Sequence, residues 1–259
     1  MNAFGKEFTE IYKKNENYHY FNEVELNSGL VLEFQAPADL YNNCVKIAKE
    51  KAKYTMNYSQ NLIVRTKKEK EIKQFKGVLA EMAIQLYLIK ICGIPFDQVH
   101  RWDLVRDTFR NAFGEYDLKV TTEKGEIYIE SRASDSYKTS LNRFVRRYDI
   151  IGKYSNSRKV KEKKADVYLR PVYQFVPCVK ENEHDDKLFE TYDLIQSKEL
   201  ILYLVSGAMR EEMYGQKSYT KNMGQNNTIY RCLKIADAGD MNRISESIRR
   251  KFIQSGGAL

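Results

Sequence analysis

The chain reads as one α/β domain, a mixed central β-sheet of about five strands flanked by helices, on three observations. The stretch from Tyr116 to Ser134 alternates apolar and polar residues around a glycine, as a half-buried hairpin does. Segments 39–52 and 78–91 repeat apolar residues at helical spacing. The run LILYLVSGA, 200–208, is apolar throughout, as a strand covered on both faces is. A chain of 259 residues, 42% of them hydrophobic, has material for one large core.

Residues 1–65 form a lead-in. NSGLVLEFQAP reads as a strand closed by Pro37, and from Asp39 the series Leu40, Cys44, Ile47, Ala48, Ala52 predicts an amphipathic helix with its lysines in water. Residues 66–135 follow as a helix and the hairpin. The helix-forming run TKKEKEIKQF leads into a helix ending near Gly93, ahead of Ile94-Pro95. From Val78 to Ile91 it is apolar almost all round, so burial is expected. Glu81 there costs several kcal/mol unless something pairs with it. The plainer reading is an exposed polar stripe of Gln74, Glu81 and Gln85. In the connector that follows, Arg101, Arg106 and Arg110 either face a substrate or pair with Asp97, Asp103 and Asp107 on the surface.

Residues 136–164 are the most basic part of the chain and read as a loop. Arg143, Arg146, Arg147, Lys153, Arg158 and Lys159 are interleaved with Phe144, Tyr148 and Tyr154. Cations that neutralise phosphates, beside rings on which bases stack, suit a nucleic acid; a merely solvated charged loop is the alternative. Residues 165–259 supply the remaining sheet, with strands at 165–177 and 200–208 and a further strand in TIYRCLKIAD. A C-terminal helix follows, its core face Ile244, Ile248 and Phe252.

The hairpin carries the chemistry. Asp117 and Lys119 are two apart, as are Glu130 and Arg132, so each pair shares a face of its strand. With Lys124 and Gly125 as turn residues, Lys119 lies opposite Glu130 and Asp117 opposite Arg132. Two carboxylates on one patch repel unless a cation lies between them, and hard oxygen ligands suit Mg²⁺ or Mn²⁺. Cross-strand salt bridges on a wet face would use the same residues.

Asp117 followed by Glu130-Ser131-Arg132 at the end of the next strand resembles the active site of the PD-(D/E)XK, or restriction-endonuclease-like, nucleases. The family also places a Glu on an upstream helix, and KGVLAEMAIQLYL supplies Glu81. The likeness covers residues 75–135, with weaker echoes to about 235. It implies a restriction-endonuclease-like core and hydrolysis of DNA phosphodiesters with Mg²⁺ or Mn²⁺. Asp117, Glu130 and the Ser131 carbonyl hold the metal, Glu81 ligates it or orients its water, and Lys119 and Arg132 face the scissile phosphate. It implies equally a type II restriction enzyme and a homodimer. The family's last position is usually lysine. Arg132 can clamp a phosphate but hardly transfers a proton, which leaves open a member that binds nucleic acid without cutting it.

The remaining composition narrows the field. Net charge is +8, from 43 basic and 35 acidic residues, consistent with a polyanion partner. Four cysteines without paired spacing and three histidines suggest neither a zinc knuckle nor histidine-based catalysis. With no apolar run of membrane length and no leader-like N-terminus, a cytoplasmic protein is expected.

Overall fold

A computed structural model describes residues 1–55, 64–110, 116–154, 164–180, 183–184, 187, 189–222 and 229–259. The chain is mixed α/β, with a largely antiparallel eight-stranded sheet between helices. The expectation was about five strands. The excess comes from β1 (Phe21–Leu26), which pairs with the expected strand β2 (Gly29–Phe34), and from two three-residue strands, β3 (Val99–Arg101) and β6 (Ser134–Ser136). Strands that short carry no period for the sequence to display.

The sheet order is β1-β2-β9-β8-β5-β4-β3, with β6 also pairing with β8. At its centre lies β8 (Val167–Phe175), buried along its whole length, beside β9 (Leu200–Met209). Pro171, which has no N–H to give a ladder, sits where the β8–β9 register shifts. The hairpin consists of β4 (Leu118–Thr122) and β5 (Gly125–Ser131). Both β5 and β6 run parallel to β8 along one edge, so residues 132 and 133 link two strands laid end to end.

Three N-terminal helices cover one face: α1 (Ala3–Lys14), α2 (Ala38–Ala52) and α3 (Lys67–Lys90). The basic run and the apolar run of the sequence form a single helix, α3, started by a reciprocal cap between Thr66 and Glu69. Val78, Leu79, Met82 and Leu86 pack there with Leu118, Val120, Ile127 and Ile129 of the hairpin. The C-terminal helix, Met241–Gln254, buries Ile244, Ile248 and Phe252 as its spacing predicts. A second core on the opposite face joins Tyr168, Val172 and Val205 to Phe144, Ile150 and Leu233. Its cover is a three-stranded sheet of β10 (Tyr219–Asn222), β11 (Ile229–Lys234) and β7 (Asp149–Tyr154). Part of the expected basic loop is therefore structured. After the short helix α4 (Trp102–Val105), the next helix, α5, spans Leu141–Arg147 and leads into β7.

Candidate active site

The hairpin turns one residue earlier than its sequence suggested. Glu123 and Lys124 form the turn, and Gly125, at φ 147°, opens β5 opposite Thr122. That backbone conformation is one a side chain would strain. The turn rests on the C-terminal helix, where the Lys124 amide and ammonium donate to the carbonyls of Ser255 (3.1 Å) and Gln254 (3.2 Å). A lysine there also meets the negative end of the helix dipole.

Moving the turn by one residue slips the pairing by two, which leaves every side chain on its expected face but changes its partner. Lys119 lies opposite Tyr128, where the expected partner was Glu130, and forms an ion pair with Glu126. The expected Lys119–Glu130 pairing is corrected accordingly: Glu126 draws the ammonium along the strand. The same slip corrects the Asp117–Arg132 pairing. Leu118 pairs with Ile129, and one further step sets Asp117 across from Glu130. That step extends the backbone register only; the Asp117 carboxylate interacts with the charges of Lys51, Asp103 and Glu81, while Glu130 faces Tyr168 of β8.

Asp117 lies just before β4 and seats its carboxylate at the strand exit, where Oδ2 accepts the Ser131 N–H at 2.8 Å. In a strand the N–H and C=O of one residue point the same way, so the Ser131 carbonyl is directed toward this edge as well. Glu130 shares its face with Tyr168, its partner in β8. Arg132 Nη2 is 2.6 Å from Glu130 Oε1. Burial raises the Asp117 carboxyl above its ordinary range, against the pull of the Arg132 charge and the Ser131 amide. One guanidinium thus acts on both hairpin acids.

Glu81 approaches from the other side of the sheet, on α3. Between Val78 and Ile89 it alone is half-buried where the rest are buried, and Gln85 is buried with its amide on the Val99 carbonyl at 3.3 Å. The exposed polar stripe does not exist. Burial pushes the Glu81 carboxyl up to about 8; Lys51 pulls the other way, while Asp103 and Asp117 add to the rise. The charges around Glu81 come from elements that no pattern in the sequence connects. Lys51 on α2 reaches Asp103 on α4 at 2.5 Å, and Arg106 reaches the other Asp103 oxygen at 2.9 Å. Burial alone would lower the Lys51 ammonium, but Glu81 and Asp103 outweigh it and hold it above its ordinary value. Arg101 is fully buried, with Nη1 on the Val78 carbonyl at 3.2 Å and its face over Phe8. Of the surface pairings expected in this connector, Arg106 with Asp103 is present, but indoors.

The three acids expected to share a metal lie in different surroundings. Among the described residues no three His, Cys, Asp or Glu side chains come together to hold a metal ion. Glu81 shares charges with Asp117 and Asp103, whereas Glu130 faces the second core. Asp117, Glu130 and the Ser131 carbonyl remain as a donor set. Two carboxylates and a carbonyl fit magnesium, which takes one or two carboxylates and completes its shell with water and substrate phosphate.

Of the predicted nucleic-acid contacts, Arg143, Arg146 and Arg147 are exposed on α5, whose Phe144 and Val145 are buried. Tyr148, 44% exposed, stacks on Phe144 with ring centroids 4.2 Å apart. Lys153 lies in β7, and Arg158 and Lys159 fall outside the described residues. No helix among the described residues is long and apolar enough to cross a membrane.

No family model matches this chain, and no solved structure does. The chain is similar to an uncharacterized protein of Methanocaldococcus jannaschii, MJECS01, with 25% identity over 253 residues and 90% of each chain covered.

Proposed function

We propose that this protein is a metal-dependent endonuclease that hydrolyses DNA phosphodiester bonds on a restriction-endonuclease-like core, in the manner of a type II restriction enzyme. The observation that carries the reading is the exit of β5, where the Asp117 carboxylate accepts the Ser131 N–H and Arg132 pairs with Glu130 while its charge also acts on Asp117. The order of helix glutamate, strand aspartate and strand glutamate, with β5 entering the sheet parallel to β8, supports the core assignment.

Magnesium or manganese would be held by Asp117, Glu130 and the Ser131 carbonyl; when bound it acts as a Lewis acid on the phosphoryl oxygen and activates water. Glu81, on the helix side of Asp117, orients the attacking water through a hydrogen bond to its carboxyl group. Arg132 exchanges its bond to Glu130 for a non-bridging phosphate oxygen and stabilises the charge developing there. Arg143, Arg146 and Arg147 neutralise neighbouring backbone phosphates. Attack in line with the leaving oxygen completes the hydrolysis.

The test is incubation of purified protein with supercoiled plasmid in Mg²⁺ or Mn²⁺, with EDTA as control. Nicked or linear product is expected from the native chain and none from Asp117→Asn or Glu130→Gln, both of which still retard DNA in a gel. Undiminished cleavage by either variant refutes the site. The Arg132–Glu130 ion pair favours a second reading, a nucleic-acid-binding protein that keeps the fold without cutting. Retardation by the native chain without cleavage in either metal would establish that one.

A further inference from the structure

The link between β5 and β6 is held from β8 by a buried arginine that the catalytic scheme above does not use. Arg170 is 2% exposed and lies where the β8–β9 pairing shifts register. Its Nη1 donates to the Arg132 carbonyl and its Nη2 to Ser134 Oγ at 2.7 Å. The preceding residue, Leu169, accepts the Arg132 N–H through its own carbonyl at 3.4 Å. Both polar groups of the Arg132 backbone are thus fixed by two consecutive residues of β8.

Arg170 is an expensive residue for packing alone. A buried guanidinium costs several kcal/mol unless it is well paired. The acid that acts on it, Asp149, already accepts from Tyr219 Oη at 2.5 Å and Lys221 Nζ at 2.7 Å. The Arg170 Nε has no hydrogen-bond partner among the described residues. Burial pushes the group down to about 10 in spite of Asp149. An apolar side chain would fill the same space more cheaply, but none could hold two acceptors two residues apart with one planar fork. The guanidinium also faces the Phe144 ring of α5 at 5.9 Å, so it touches the helix that carries the exposed arginines.

We infer that Arg170 is a positioning residue for Arg132: it fixes the strand exit from which the phosphate-facing guanidinium projects, an inference that rests on the nuclease reading for its catalytic consequence. Arg170→Lys keeps the charge but offers a single donor point, and Ser134→Ala removes one anchor without disturbing the core. Hydrogen exchange over residues 131–136, thermal unfolding and steady-state cleavage of a duplex oligonucleotide in Mg²⁺ are measured on both. Arg170→Lys is expected to accelerate exchange in that segment alone and to lower kcat about 100-fold, the scale for a misplaced catalytic group, with KM within about twofold. Ser134→Ala is expected to shift both readouts in the same direction by a smaller factor. Unchanged exchange and kcat in a folded Arg170→Lys protein overturn the inference, as does a loss of kcat that tracks only the unfolded fraction. Should Arg170→Lys fail to fold, Ser134→Ala decides by the same criteria. If the native chain cleaves nothing, the nuclease reading falls and exchange alone decides: acceleration confined to 131–136 sustains the positioning role, and its absence overturns it.

Discussion

Replacing Glu81 by glutamine is expected to stabilise the protein, increasingly so as pH rises. Glu81 has cations nearby in Lys51 and Arg101, yet burial and two neighbouring acids outweigh them and its carboxyl is pushed up to about 8. In the unfolded chain it titrates near the ordinary glutamate value of 4.5. Between those values the native state keeps a proton that the unfolded state has lost, so stability is full below the lower value and falls until the upper one is passed. At about 1.4 kcal/mol per pH unit the loss is roughly 3 kcal/mol at pH 7 and about 5 kcal/mol at pH 9. A neutral amide of the same shape escapes it. Urea unfolding of the native chain and of Glu81→Gln in EDTA, at pH 5, 7 and 9, measures the gap directly. It should be under about 1 kcal/mol at pH 5 and reach the values above at pH 7 and 9. A gap that ignores pH, or a variant less stable at pH 7, would show that the Lys51 and Arg101 charges need the Glu81 carboxylate more than burial opposes it.

Three further outcomes are expected. Lys51→Met leaves Asp103, 3% exposed, with one cation in place of two, and should lower unfolding free energy by about 3 kcal/mol in urea titrations; a loss below about 0.5 kcal/mol would place the pair among those of little worth. Changing Arg143, Arg146 and Arg147 together to alanine should weaken DNA binding and flatten the dependence of log affinity on log salt by about 2.7, near 0.9 for each phosphate no longer neutralised; an unchanged slope would remove α5 from the interface. Arg132→Lys restores the residue usual at this place in the resembling nucleases. A rise in cleavage rate would mark this chain as a drifted form of that site, and a fall would show that the bidentate fork has become part of its catalysis.

How much of this was legible in the sequence depended on how local each determinant is. The hairpin, the buried face of α3 and the C-terminal helix announce themselves through periodicity, and each lies where its pattern predicted. The register did not. Lys124-Gly125 is as good a turn by chemistry as Glu123-Lys124, and the turn that forms is held by Ser255 and Gln254, far away in the chain. Glu81 stands out as an acid interrupting an apolar helix, but its neighbours do not. Lys51 has the pattern of a wet lysine on an amphipathic helix and Asp103 that of a surface acid, and only the packing of α2 against α3 and α4 brings them together. Arg170 has still less to signal it, since an arginine in a strand interior is uninformative until the strand proves buried along its whole length.

The docking of the hairpin tip on the last helix also sets an order of events during synthesis. Lys124 takes its anchors from a carbonyl 130 residues downstream and from the next residue along, so β4 and β5 leave the ribosome long before anything exists to seat their turn. In a nascent chain the tip of this hairpin therefore stays without its seat until residues 254 and 255 have been made.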